Sequence, residues 1–343
     1  MPSDDRPHRD RPSVTGTPQS RSSPTVSVCL PASRDPDITK IALRSVLAQT
    51  LTDFEVLIGD ETGDFAPKVA AMGDGRVVYQ HNEHRLGFSG NHVALLDRAR
   101  GRYLAVLHDD DWWEPTYLES MVAAFESSPT VGVVTCDIRR DVTGTRRAAG
   151  AWSVPLHPGR NDDVLDLLVR EEWFLLPTSS MWRREVWHGA AREWPRDLHA
   201  SDLQLYLSAA EEGWAFYYLP MLLAHWVQHG DQTAPHRGGD YGLAVADDTL
   251  EFWDRWLRDR PEHYTVISRR QRANTQLRRA RALLLLGNRT AAREALSKAR
   301  RLGGAGGPGY MRLTVGVRLP MPLLRTGLEA KRSAMRILGL LHG

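Results

Sequence analysis

Short apolar runs alternate with stretches whose apolar residues recur every three or four positions. "TVSVCLPA" (25–32) reads as a first strand. "ITKIALRSVLAQT" (38–50) reads as a helix, with Ile38, Ile41, Ala42, Val46 and Leu47 toward one side. "DFEVLIGDE" (53–61) and "RVVYQHN" (76–82) are strands two and three. "SGNHVALLDRARG" (89–101) is a helix stopped by Gly101. "RYLAVLHDD" (102–110) is a fourth strand, and Pro115 opens the next helix. "VGVVTCDIRR" (131–140) is a fifth strand. Strands alternating with helices predict an α/β fold with a mostly parallel sheet, flanked by helices on both faces.

Beyond 140 the pattern loosens. "FLLPTSSMWRREV" (174–186) reads as a strand running into a short helix. "ASDLQLYLSAAEEG" (200–213) is a helix with Leu203, Tyr206, Leu207 and Ala210 on one face, and "WAFYYLP" (214–220) is a strand. Helices dominate after about residue 240. The segment 277–303 reads as two helices turning at Gly287-Asn288, like one tetratricopeptide hairpin. There is no second copy, so a repeat array is not expected. "GGAGGPG" (303–309) reads as a flexible link. The polar start, rich in Pro, Ser and Arg, predicts a disordered tail over 1–24 without the apolar core of a signal peptide. The expected division is therefore 1–24, an α/β domain over 25–235, and a basic, mainly helical region over 236–343.

Charge adds a second feature. The 343 residues are 42% hydrophobic and 25% charged, ordinary values for a chain that builds a sizeable core. Two cysteines in strand-like runs make a disulfide framework unexpected, so a reducing cytoplasm is the default. No apolar run approaches the ~20 residues that span a bilayer. The net charge of +2 hides an asymmetry: from residue 263 onward 17 Lys and Arg face only Glu294 and Glu329, while the remainder carries 27 against 40 acids. The last segment (310–343) interleaves Arg and Lys with Leu, Met and Val, which suits a helix lying on an anionic membrane surface. The competing expectation is an arginine-rich helical unit packed on the acidic body.

Two acid clusters stand where strands end: Asp60-Glu61 after strand two and Asp109-Asp110-Asp111 after strand four. Open parallel sheets bind ligands outside the carboxyl ends of their strands. Carboxylates gathered there suit a hard divalent cation, and Mg²⁺ usually keeps one or two carboxylates plus substrate phosphates. A solvated acidic turn before a helix is the plainer alternative.

"TVSVCLPASRDPDITKIALRSVLAQTLTDFEVLIGDETGD" and "RLGFSGNHVALLDRARGRYLAVLHDDDWWEP" together resemble the family 2 glycosyltransferases, inverting enzymes of the GT-A fold. The resemblance covers about residues 25 to 235. It implies a nucleotide-diphosphate-sugar donor, a hydroxyl acceptor, and Mn²⁺ or Mg²⁺. Asp60, with Glu61, matches the acid that contacts the nucleotide base, although the usual Asp-Asp-Gly-Ser is "GDETGD" here. Arg85 takes the place of an arginine near base and phosphate. Asp109 and Asp111 match the outer acids of the D-x-D, with Asp109 expected near ribose or sugar as well as metal, Asp111 at the metal, and Asp110 sharing the site. Asp202, in "HASDLQLYLSAAEEGW", matches the general base, with Ser201 in place of the usual Glu. His229 of "HWVQHGDQTA" matches a histidine near metal or diphosphate, and Thr178 and Ser179 lie where the donor sugar is held. Trp112 and Trp113 offer an apolar platform for a sugar ring, or ordinary core packing.

The expected function is a metal-dependent, inverting, hexosyltransferase-like transfer of one sugar to a lipid-linked glycan or small metabolite, in the cytoplasm or at the inner face of the plasma membrane. No nucleic-acid partner is expected. Two rivals stand beside it. One is a non-catalytic scaffold acting through its basic tail. The other is a sugar nucleotidyltransferase, for which "PASRDPD" is a poor phosphate loop.

Overall fold

The computed structural model describes residues 23–33, 36–142, 154–171, 174–190, 202–228, 239–304 and 308–317. Expectations placed on 1–22, Ser201, His229 and 318–343 lie outside the described residues. In chain order the elements are β1 (Val26–Ala32), α1 (Pro36–Leu47), β2 (Phe54–Asp60), α2 (Ala66–Met72), β3 (Val77–His81), α3 (Gly87–Leu96) and β4 (Tyr103–Val106). Then come β5 (Trp112–Trp113), α4 (Tyr117–Glu126), β6 (Val131–Val142), β7 (Gly159–Asn161) and α5 (Leu165–Arg170). A 3-10 turn (Pro177–Ser179) precedes β8 (Ser180–Arg183), α6 (Arg184–Ala190), α7 (Asp202–Glu211) and β9 (Ala215–Gln228). Five helices follow: α8 (Asp240–Trp256), α9 (Glu262–Ile267), α10 (Arg269–Leu285), α11 (Arg289–Arg301) and α12 (Pro308–Gly316).

The strands form one sheet in the order β3-β2-β1-β4-β8-β6-β9-β5, with β7 also pairing β9. β1 to β4 are mutually parallel where they pair, as the alternating pattern predicts. β8 runs antiparallel to both β4 and β6. β6 and β9 are parallel to each other again. The carboxyl ends of β1, β2, β4, β6 and β9 therefore share one edge with the amino end of β8. Strand order reverses between β1 and β4, which opens a crevice at that edge.

Side chains of alternate strand residues point to opposite faces, and both faces are covered. Val26, Val28, Leu30 and Ala32 of β1 join one core with α1 and α4, while Cys29 joins the other. In β4, Tyr103 and Ala105 go to the first core and Leu104 and Val106 to the second. The second core holds α3, α5, α6 and α7, together with Phe252, Trp253 and Trp256 of α8. Apolar packing thus runs across position 235. A third, smaller core joins α10, α11 and α12 around Ala280, Leu284, Ala295 and Leu296.

Two polar side chains lace the site edge together. Asn91 of α3 donates to the Gly59 carbonyl at 2.9 Å and accepts from Asn82 at 3.2 Å. A Cβ at position 59 would collide with the Asn91 Oδ1, so β2 needs glycine there. Gln49, only 5% exposed, donates to the Ser45 carbonyl (3.1 Å) and the Glu114 carbonyl (2.8 Å) and accepts from the Leu118 amide (2.9 Å). It fastens the end of α1 to the start of α4 and satisfies one of α4's orphan first-turn amides. Gln49→Ala should therefore lower stability by about 1–3 kcal/mol, because a buried N–H loses its acceptor. Urea unfolding measures this, and an unchanged midpoint would contradict it.

Candidate functional site

β4 delivers the chain to the crevice, and Leu107 still donates to the Cys29 carbonyl of β1 at 3.0 Å. The chain then turns, with the Asp111 amide donating to the His108 carbonyl (3.2 Å). The three aspartates go different ways. Asp109 accepts from the Ser33 amide (2.9 Å) and hydroxyl (3.4 Å), just past β1. Asp111 accepts the Thr178 hydroxyl (2.6 Å) on one oxygen and the Val227 amide (3.0 Å) on the other. One ligand atom each from His108, Asp110 and Asp111 lies within 4.8 Å of the others. Asp111 is buried, and its pKa stands well above the ordinary value. Burial is the main cause, the charge of Asp110 the second, and the Thr178 and Val227 donors only partly offset them.

The donor set of two carboxylates and an imidazole suits a hard or borderline divalent ion such as Mg²⁺ or Mn²⁺. Of the expected Asp109, Asp111 and His229, it contains Asp111, and His229 lies outside the described residues. Asp110, not Asp109, lies beside Asp111, because Ser33 holds Asp109 at the end of β1. His108 is a member that the sequence pattern does not single out. Its one signal is its place directly before three acids.

Asp60 is fully buried at the end of β2. It accepts from the Thr62 amide and hydroxyl (both 2.8 Å), the Phe65 amide (3.0 Å) and the Tyr79 hydroxyl (2.9 Å). Burial works to raise its pKa, but these donors outweigh burial and leave it below the usual range. Its carboxylate organises the turn into α2. Glu61 accepts from the Leu86 and Gly87 amides at 2.7 and 2.9 Å, which fixes the turn before α3. Arg85, at that turn, is exposed.

Thr178 and Ser179 are 1% exposed each. Thr178 spends its hydroxyl on Asp111, and its carbonyl accepts from the Trp113 indole at 2.7 Å. Ser179 donates to the Leu176 carbonyl at 3.2 Å. Trp113 is core, stacked on Tyr117 with centroids 4.1 Å apart. Trp112 is partly exposed and stacks on His225, with centroids 3.5 Å apart and planes 7° apart. Asp202 opens α7 and lines a small hollow with Leu168, Glu171, Phe174, Leu175, Leu203 and Tyr206. Burial pushes its pKa up to about 7.

This edge, an acid-rich crevice at the switch point of a helix-covered sheet, defines the class as GT-A-like, and solved structures share the fold. The crystal structure of S. aureus TarS 1–349 in complex with UDP-GlcNAc matches with a TM-score of 0.58 at 14% identity, over 90% of this chain and 92% of that one. A mannosyltransferase of Pyrobaculum calidifontis in complex with GDP-Man and Mn²⁺ matches with a TM-score of 0.53 at 18% identity, over 88% and 82%. Residues 27–188, just under half of the chain, match the model of Glycosyl transferase family 2. An uncharacterized protein of Mycobacterium tuberculosis is 30% identical over 178 residues, 48% of this chain and 54% of that protein. The Escherichia coli UDP-Glc:alpha-D-GlcNAc-diphosphoundecaprenol beta-1,3-glucosyltransferase WfaP is 29% identical over 104 residues, 30% of this chain and 41% of that enzyme. The chain thus spans about half the length, or less, of these curated relatives.

The depressed pKa of Asp60 fixes the sign of a stability effect. Its contribution is present above the unfolded carboxyl pKa of about 3.9 and fades as pH falls through the lower folded value. Asp60→Asn should be less stable than wild type at pH 7, with the gap narrowing below about pH 4. Urea midpoints across that range report the gap, and one that is independent of pH would remove Asp60's charge from the account.

Proposed function

We propose that the chain transfers one sugar from a nucleotide-diphosphate sugar to a hydroxyl acceptor with inversion. The observation that carries this reading is the gathering of His108, Asp110 and Asp111 at the carboxyl end of β4, in the switch-point crevice of a family 2 fold. These three residues would hold a divalent ion, which when bound supplies positive charge for the diphosphate of the donor. Glu61 orders the Arg85 turn through two backbone amides, which leaves the arginine facing solvent beside the crevice, suited to an entering anion. Asp109, tied to Ser33, carries the ribose or sugar contact in this reading. Thr178 acts through Asp111 and Ser179 through the turn it closes. His229 remains a proposed diphosphate contact.

Asp202 is the proposed base. The acceptor oxygen bonds to the anomeric carbon as the carbon–oxygen bond to the diphosphate breaks, and the hydroxyl proton passes to the Asp202 carboxylate. A base is most effective with its pKa near working pH, and burial brings Asp202 to about 7. The solved relatives carry UDP-GlcNAc in one case and GDP-Man in the other, so the base of the donor is a matter for titration.

The acceptor proposed is a lipid-linked glycan, the kind that the WfaP name describes. The outward side of α11 supports a seat on anionic lipid. Arg293, Arg300 and Arg301 are exposed there, and neighbouring α12 exposes Met311 and Val315 beside Arg312. The arginines of α10 are used differently: Arg279 pairs with Asp247 and Arg272 with Asp254 of α8, as the packing alternative expects. Each basic side chain near an anionic leaflet adds about 1 kcal/mol.

Three measurements test these readings. Calorimetry with UDP, GDP and TDP should find one that binds only with Mn²⁺, and Asp111→Ala should abolish the heat. No binding of any nucleotide would favour the scaffold. Asp202→Asn should keep that binding and lose about 100-fold or more in kcat, and the wild-type kcat should rise with pH through about 7. A pH-independent kcat across that range would exclude Asp202 as the base. In sedimentation at low salt, the chain should follow phosphatidylglycerol vesicles but not phosphatidylcholine ones, and the triple variant Arg293→Glu, Arg300→Glu, Arg301→Glu should stay largely in the supernatant. Equal recovery with both lipids would sink the membrane seat.

A further inference from the structure

His225 is fully buried on β9, opposite Trp112 of β5 in the ladder. Its Nδ1 lies 2.9 Å from Asp141 Oδ2, and its Nε2 lies 2.9 Å from Glu114 Oε1. The ring thus bridges two carboxyl groups, one at each nitrogen. Arg139 donates to the other oxygen of Asp141 at 2.8 Å. The flat face of this ring lies against the Trp112 indole, at the spacing and angle of a full stack. Among the described residues, the charged groups seen to face His225 and its partners are Glu114 after β5 and Asp141 and Arg139 on β6.

We infer that His225 is a positioning residue, clamped between Glu114 and Asp141, that fixes the Trp112 ring at the exit of the triple-aspartate turn. β5 is only two residues long, too short to hold its own register by ladder bonds. It also forms the exit from the triple-aspartate turn, so whatever holds Trp112 holds one side of that turn. β9 contributes twice here: Val227 donates to Asp111, and His225, two residues earlier, carries Trp112. The partly exposed indole then stands as a fixed wall of the crevice. Its stack on His225, one residue after the triple-aspartate run, is structural, while its use as a wall for a sugar rests on the proposed function.

The test uses the full chain labelled with 5-fluorotryptophan. The Trp112 fluorine resonance is identified by its loss in Trp112→Phe. In wild type it should be a single sharp line. His225→Gln should shift it and broaden or split it, because the amide neither spans both carboxyl groups nor offers a ring face to the indole. Since a core substitution can unfold the chain, the double variant Glu114→Gln, Asp141→Asn provides the second arm. It keeps the ring, changes only partly exposed side chains, and should shift and broaden the same line. A Trp112 line unchanged in the double variant overturns the clamp, as does one unchanged in a folded His225→Gln. Adding Mn²⁺ alone to wild type should then broaden the Trp112 line selectively. If Mn²⁺ leaves it sharp, the metal part of the proposed function falls, while the clamp is still judged by the two variants without metal.

Discussion

The Asp111 carboxyl is the point on which the geometry of the crevice depends. One oxygen accepts from Thr178, at the entry to β8, and the other from Val227, near the end of β9. These two bonds pin the end of β4 to strands that arrive from distant parts of the chain. Burial makes this an unfavourable place for charge, and Asp110 and Asp109 make it worse. A buried carboxylate persists when donors or a cation compensate it. Two donors compensate in part. The remaining demand for positive charge is local to the spot where His108 and Asp110 also point, which is why the fold and the proposed chemistry cannot be separated there.

The parallel half of the sheet is legible in the sequence because β1, β2 and β4 are buried on both faces. Such strands need unbroken apolar runs, and those stand out between amphipathic helices. The other half is poorly legible. β5 and β7 have two and three residues, too few for any period to show. β9 is expected to stop at Pro220, yet it continues to Gln228. Its register against β6 shifts between Cys136 and Ile138, across from Leu219 to Ala224, so the proline falls at an irregularity where a missing amide is tolerated.

The candidate site divides in the same way. Acids at strand ends are visible as acids, but their partners are not. Nothing local to Asp60 shows that Thr62, Phe65 and Tyr79 all donate to it. Nothing local to Thr178 shows that its hydroxyl belongs to Asp111. The two ring partners of His225 lie 84 and 111 positions away in the chain, beyond the reach of any spacing rule. Pattern can nominate a histidine in "HWVQH", but only the ladder of β9 against β5 and β6 shows what surrounds His225.

Three adjacent like charges at the end of a buried strand gain a physical reason from this arrangement. A single acid would tie the turn to one neighbour. In the triple run Asp109 reaches back to Ser33 at β1, and Asp111 reaches forward to the entry of β8 and the end of β9. One short covalent segment thereby bridges both sides of the switch point, where strand order reverses and the sheet would otherwise be open. Asp110 lies between these two anchors, so its direction is set by residues whose own carboxylates are already engaged. It comes to lie with His108 and Asp111 at ion-binding separation. The repulsion within the run therefore accompanies a turn that is a structural tie and a candidate cradle for a cation, and at Asp111 burial adds to it.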